Sequence, residues 1–351
     1  MLSWSFDNDS HPYVEVSLRM AVEQGQQGSS GGVLTRVGTW TENLSEQTYA
    51  YLLLAPGFLI LLLMAFWPLG SAIRMSFFAD QVIGQGRLGE FAGLENYVRL
   101  LMNTNALAPA TFLDPSFEVP ILEQALFMTL LFAIISVVGE TILGFLYAML
   151  MKAEYRGRRA VRVLIIVPWA IPIVIQGMIF FLMFRPGYGL LTEPLQNLGV
   201  FSSLPLNTTF DGFVIVTVAD IWKASAFMAL LILAGLESVN QDLYNVADVM
   251  GASRLQRFRY ITFPLVFPVL MVAMLFRTMG ALRVYGIIES TGVGCTTVPS
   301  MTCLVTQFLF GSSALYGSAA AASVLIAVVV GLFISVYLLF IKLSNQDMDL
   351  A

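Results

Sequence analysis

Charge is what this 351-residue chain has least of: only 12% of its residues are Asp, Glu, Lys or Arg, while 57% are hydrophobic. A soluble domain carries roughly twice that share of charge, so an ordinary globular protein in water is excluded. Lysine occurs three times, at Lys152, Lys223 and Lys342, and cysteine twice. The sole histidine, His11, lies far from any apolar run, which excludes a His-based metal or catalytic centre in the body of the chain. No Gly-x-x-x-x-Gly-Lys-Ser/Thr phosphate loop is present, so nucleotide energy has to come from elsewhere. No cluster of nucleophile, base and metal ligands stands out, and the chain is not expected to be an enzyme.

What fills the chain is apolar sequence long enough to cross a bilayer, which takes about 20 residues. Residues 51–73, 163–184 and 319–341 carry no charge, 125–151 carries Glu140 alone, and 212–236 carries Asp220 and Lys223. A weaker run, 263–288, is interrupted by Arg277 and Arg283. The expected fold is an all-α polytopic membrane protein of about six spans. Residues 1–49 lack the apolar core of a signal peptide and are too polar to order a core, so they read as a flexible tail ahead of a membrane body at 50–343 and a short tail at 344–351.

Lys and Arg are retained on the cytoplasmic side during insertion. Lys152, Arg156, Arg158, Arg159 and Arg162 crowd one short loop, Arg254, Arg257 and Arg259 another, and Lys342 follows the last run. Arg74, Arg87, Arg99 and Arg185 are spread over the longer opposite loops. Both termini and the loop 237–264 are therefore expected to be cytoplasmic, in a multi-pass protein of the cell membrane. Cys295 and Cys303 then fall outside, where a disulfide is permitted. Spacing alone leaves a bonded pair and two free thiols both open.

The loop 237–264 contains YNVADVMGASRLQRFRYITFP. Asn240 is placed to cap a helix, with Asp242 in its first turn where the helix dipole favours negative charge. Leu243, Val246, Ala247 and Met250 follow at helical spacing, and Gly251 ends the segment. Ser253 and Gln256 fit a capping box opening a second helix at Arg254. Pro264 and Pro268 then stand where the next span begins and should discourage helix just ahead of them. A helix pair tethered by spans at both ends can pass a push from a partner into those spans; the bland alternative is a solvated loop with incidental helicity. Ala247, Gly251 and Ser253 also fit the turn of a helix-turn-helix, but the double tether leaves no free recognition helix, and no nucleic-acid partner is expected.

These residues resemble the signature of the integral-membrane permease subunits of ATP-binding-cassette importers, within their sugar-uptake branch of maltose and trehalose permeases. That signature is Glu-Ala-Ala, three residues, Gly, nine residues, then Ile-x-Leu-Pro. Here it reads Asn245-Val246-Ala247, Gly251 and Ile261-Thr262-Phe263-Pro264, with spacing intact and with Asn245, Val246 and Phe263 departing from the pattern. LLLAPGFLILLLMAFWPLGSAIRMSF, FAGLENYVRLL and IWKASAFMALLILAGLESV extend the similarity over most of 50–343. The resemblance implies a coupling helix between the fourth and fifth spans that docks in a cleft of a separate ATPase. It implies two ATPase subunits, a second permease subunit and an external sugar-binding protein as partners. ATP and Mg would be used by the ATPase, with no cofactor bound by this chain. Asn245, Val246, Ala247, Gly251, Ile261 and Pro264 are the coupling positions it implies, and the absent glutamate removes a charge-assisted contact that an Asn amide makes only in neutral form.

Inside the spans, Asp220 and Lys223 sit three apart and can neutralise each other. Glu140 has no local partner and must face the bundle interior or be protonated, in a packing or a pathway role. Arg277 and Arg283 read as less deeply placed, with Arg283 reaching the outer interface. A sugar pathway needs hydrogen-bonding groups beside flat aromatic faces, which Gln176, Trp222, Phe227 and Tyr285 can supply; packing or lipid contact is the alternative for each. The rival class is a secondary transporter driven by an ion gradient, which needs inverted repeats and an unpaired midplane acid; Glu140 is the one candidate, and no repeat is visible.

Overall fold

The computed structural model describes residues 45–81, 88–105, 108–311 and 314–349, with side chains as far as Lys342. Of the expected N-terminal tail, 1–44, including His11, lies outside the described residues. The chain divides into two units, 1–69 and 70–351. Helix α1 (Glu46–Met75) begins in the first unit at a Ser45 cap, five residues ahead of the apolar run, with a π-helical turn at Leu62–Phe66, and its last residues, 70–75, fall in the second.

The second unit continues with an antiparallel hairpin, β1 (Phe78–Asp80) and β2 (Leu88–Phe91). The helices then run α2 (Glu95–Leu101), α3 (Ala125–Lys152), α4 (Arg158–Ala170), α5 (Ile173–Phe184), α6 (Thr192–Asn197) and α7 (Thr209–Glu237). They continue as α8 (Gln241–Val249), α9 (Arg254–Ala281), α10 (Gly286–Ser290), α11 (Met301–Phe310) and α12 (Tyr316–Asp349). Among the described residues five helices, α1, α3, α7, α9 and α12, are long and apolar enough to cross a membrane, and α4 with α5 makes a sixth, broken span bent by 95°. The helix α12 runs through most of the stretch expected as a C-terminal tail.

One span is broken at a proline, and one expectation about proline is corrected. The uncharged run 163–184 is not one straight helix: Ile171, which precedes Pro172, takes an extended conformation because the proline ring crowds the α region of the residue before it. Conversely, Pro264 and Pro268 do not stop the helix ahead of them. Phe258–Thr262 forms a π-helical turn in which the Phe263 N–H reaches back to the Phe258 carbonyl, so the chain stays helical from Arg254 to Ala281. The wider turn accommodates the ring and the missing donor. In α1 the π turn likewise stands two residues ahead of a proline, Pro68.

Helices in lipid gain little from the hydrophobic effect and approach through small residues instead. The most extensive pairing is α3 with α7. A Cβ on Gly144 of α3 would lie 2.6 Å from the Met228 Cβ of α7, and one on Gly139 would lie 2.7 Å from Ile221 Cδ1. Around this pair Phe132, Phe213, Ile215 and Ile288 form one buried cluster, while Met228, Ile232 and Val266 form another towards α8.

At the end of the bundle away from α8, short polar groups tie the loops down. Asp80 of the hairpin accepts from the backbone N–H groups of Gly317 and Ser318 at 2.8 and 3.1 Å, placing a carboxylate at the N-terminus of α12. Asn96 donates to the Ser76 and Phe78 carbonyls. The Ser116 hydroxyl and the Val119 N–H hold the Asp114 carboxyl below the ordinary carboxylate range. Cys295 and Cys303 are bonded, with Cα atoms 5.4 Å apart. Ser300 caps α11 through the Cys303 N–H and donates to the Val284 carbonyl at 2.7 Å.

Gly144→Leu should force α3 from α7 and lower the unfolding midpoint in detergent by roughly 3–10 °C. Gly331→Leu, where nothing stands within 4 Å of the added Cβ, should leave it unchanged in the same thermal assay.

Candidate functional site: an elbow and a charged cavity

The segment between α7 and α9 is an elbow whose joints are set by local chemistry. The Asn240 side chain accepts from the Asp242 N–H at 2.9 Å and starts α8. Gly251 adopts φ +77°, its N–H bonds to the Asp248 carbonyl, and the Ala252 N–H bonds to the Ala247 carbonyl. This pair of bonds is the Schellman arrangement, which a residue without Cβ closes at no steric cost. Ser253 then caps α9: its hydroxyl accepts from the Gln256 N–H at 3.3 Å, and Gln256 Oε1 accepts from the Ser253 N–H at 2.7 Å. An Arg257–Asp248 ion pair at 2.5 Å spans the joint.

Behind the elbow, the Tyr244 hydroxyl meets Thr262 at 2.9 Å, and the Lys152 ammonium lies over the Tyr244 ring while donating to the Leu236 carbonyl. A cavity of about 520 Å³ opens between these groups and Phe258. The outward face is apolar: Val249 and Met250 are 90% and 81% exposed, with Leu255 and Tyr260 beside them. Of the six positions that resemble the signature, Ala247, Gly251 and Ile261 line one groove of about 450 Å³ on the elbow. Asn245 and Val246 are exposed on α8, and Pro264 lies inside α9.

The second feature lies among the spans. Arg277 of α9 donates through Nε and Nη2 to both carboxylate oxygens of Glu140 on α3, and through Nη2 to Asp220 Oδ2 on α7. The Glu140 side chain is fully buried, and those of Asp220 and Arg277 are only 13% and 14% exposed. The expected Asp220–Lys223 pair is thus corrected: shared helical spacing permits such a pair, but a guanidinium from another helix takes the carboxylate. The reading of Arg277 as less deeply placed is corrected with it, whereas Arg283 is exposed and folds back on the Met279 carbonyl. Lys223 instead donates to the Trp169 and Ile171 carbonyls, which the α4–α5 break leaves without helical partners.

Asp220, Lys223 and Arg277 share a cavity of about 400 Å³ with Trp169, Phe227 and Phe276. Trp169 and Phe227 stack there, ring centroids 6.2 Å apart and 22° from parallel. Of the expected pathway residues, Phe227 lines this cavity and Glu140 stands behind Arg277. Gln176 is fully buried, its amide donating to the Ala219 carbonyl and its Oε1 without a partner among the described residues. Trp222 packs on Phe180. Tyr285 lines a separate hollow with Glu289, Thr296 and Gln307 at the end opposite the elbow. Sequence reasoning missed Trp169 and the bridging role of Arg277. The signal for the first was the Ile171-Pro172 step, which breaks the span beside the tryptophan; no signal marked the second.

Residues 140–349 match the family model described as binding-protein-dependent transport system inner membrane component. The chain belongs to this family. The match takes in the elbow and both helices that meet it. Over 293 residues, 84% of this chain and 93% of the relative, the sequence is 33% identical to a trehalose/maltose transport system permease protein of Thermococcus litoralis. It is 34% identical over 250 residues, 71% of this chain and 76% of the relative, to a sulfoquinovosyl glycerol transport system permease protein of Agrobacterium fabrum. The fold matches a chain of a bacterial alginate ABC transporter crystallised with an alginate pentasaccharide-bound periplasmic protein, at a TM-score of 0.64 and 23% identity over 82% of this chain and 92% of that one.

Asn240→Ala and Ser253→Ala should each remove about 1 kcal/mol from their helix starts. Amide hydrogen exchange should read this as about fivefold faster exchange in the first turn of α8 or of α9 respectively, with the far ends of α7 and α9 unmoved.

Proposed function

We propose that this chain is the permease subunit of an ABC importer for a sugar of mono- or disaccharide size, driven by a separate ATPase that docks on the elbow. The observation that carries this reading is the elbow itself: an exposed apolar joint, capped at every turn, continuing as one helix into the wall of an intramembrane cavity. The trehalose/maltose and sulfoquinovosyl glycerol relatives support a sugar as cargo. A stacked aromatic pair beside charged groups suits a solute with C–H faces and a hydroxyl rim.

In this reading the elbow, the N-terminus and the C-terminus are cytoplasmic, and the Cys295–Cys303 loop faces outward. Asn245, Val246, Ala247 and Gly251 meet the ATPase cleft, with Ile261 and Pro264 setting the direction of α9. ATP and Mg are bound by two ATPase subunits, a second permease completes the pathway, and an external sugar-binding protein delivers the cargo. The ion-gradient alternative needs an unpaired acid at the midplane, and Glu140 is paired with Arg277.

Purified from native membranes, the chain should bring down an ATPase whose turnover rises with sugar and binding protein. Gly251→Arg should abolish both association and stimulation. Transport that survives ATP depletion but collapses with the ion gradient would refute the importer reading. Trp169→Ala and Phe227→Ala should raise the transport KM about tenfold while the ATPase still co-purifies.

A further inference from the structure

The base of the elbow and the Arg277 guanidinium ride on one unbroken helix. From Arg254 to Arg277, α9 spans roughly 35 Å at 1.5 Å per residue. Its far end meets two helices that are already joined to each other, since α3 and α7 interlock at Gly139 and Gly144 without its help. Among the described residues, Arg277 is the sole ionic tie between α9 and that pair, and it reaches both members of it. Gly280, one turn on, leaves the guanidinium room: a Cβ there would lie 3.0 Å from Nη1.

The same arginine, with Asp220, forms part of the cavity wall. A shift of α9 away from α3 and α7 must therefore stretch these ion pairs. In a low-dielectric interior such a pair is either made or broken, because a half-separated one has lost its Coulomb partner without regaining water. Lys223 cannot stand in, since its ammonium is already held by the carbonyls of the α4–α5 break. One end of the α9 rod lies under the elbow, and the charged face of the cluster is open to whatever enters the cavity.

We propose that Glu140, Arg277 and Asp220 form a latch that holds α9 against α3 and α7 while the cavity is empty, and that keeps ATP hydrolysis tied to the presence of sugar. Glu140 acts through Arg277 as a positioning residue, and the proposal rests on the importer reading. A solute in the cavity touches Arg277 and Asp220 directly and offers hydroxyls to both, which lowers the penalty for opening the pairs. Force arriving along α9 then completes the opening. With the cavity empty, the full penalty remains and the stroke stalls.

The test uses the complete transporter in proteoliposomes, reading assembly, ATPase turnover with and without sugar and binding protein, and sugar moved per ATP. Arg277→Gln should assemble but raise the sugar-free turnover about fivefold and lower sugar per ATP by a similar factor, with Arg277→Lys in between. Should Arg277→Gln fail to fold because it strands two carboxylates, the triple variant E140Q/D220N/R277Q, which buries no unpaired charge, should show the same uncoupling. A purely structural cluster would lower the unfolding temperature but leave the ratio of stimulated to sugar-free turnover at the wild-type value in assembled complexes, and that result overturns the latch. If the wild-type chain associates with no ATPase at all, the importer reading fails first and takes the latch with it; a wild-type complex that couples normally beside equally coupled variants sinks the latch alone.

Discussion

A guanidinium buried between two carboxylates from different helices tolerates few arrangements of the helices that carry them. Removing one partner from a buried pair typically costs about 3–5 kcal/mol, because a charge is then left in a medium that cannot solvate it. In this chain that constraint falls on α3, α7 and α9 at once, through Glu140, Asp220 and Arg277. It also explains the placing of Lys223. With Asp220 committed elsewhere, the ammonium is free to satisfy the carbonyls of a helix broken at Pro172, and the break in turn brings Trp169 against Phe227. Asp220, Lys223 and Arg277 line the cavity itself, and Glu140 stands behind Arg277 as the second carboxylate of the cluster.

The ends of the bundle solve a different problem. Helix termini leave carbonyls and N–H groups unbonded, and each end meets them with the charge that the helix dipole favours. At the elbow end, Lys152 donates to the Leu236 carbonyl, while Arg158 and Arg162 both donate to the Met151 carbonyl, so cations close the C-terminal ends of α7 and α3. These belong to the cluster of basic residues in the short loop between α3 and α4. At the other end, Asp80 closes the N-terminus of α12 and Ser300 that of α11, and the disulfide holds the loop before α11.

What could be read from the sequence was whatever depends on neighbours within a turn or on the bilayer's thickness. Asn240, Gly251 and the Ser253–Gln256 box act on backbone groups no more than four residues away, and each joint of the elbow stands where those residues put it. The spans were visible because about 20 apolar residues are needed to cross. Partner choice inside the bundle was not visible. Helical spacing offered Asp220 a lysine three residues away, but the carboxylate found an arginine 57 positions downstream, and Glu140 found the same arginine 137 positions downstream. Only the packing of α9 against α3 and α7 makes that arginine a neighbour. The bend in the third span had a local signal in Ile171-Pro172, outweighed in the reading by the unbroken apolar run around it.

The prolines show why a local rule has to be weighed against its surroundings. Pro172 breaks a helix because Ile171 is free to extend and Lys223 is at hand to take the released carbonyls. Pro264 does not break one, because the π turn at Phe258–Thr262 widens the backbone just ahead of it and keeps the remaining bonds intact. The consequence is mechanical. Had Pro264 ended the helix, the elbow would have hung from the span by a flexible joint, and a push on it would have been spent bending that joint. Continuous helix from Arg254 to Ala281 instead makes the α9 side of the elbow, with Leu255 and Tyr260, one body with the span that carries Arg277, and leaves the Gly251 turn as the joint to α8.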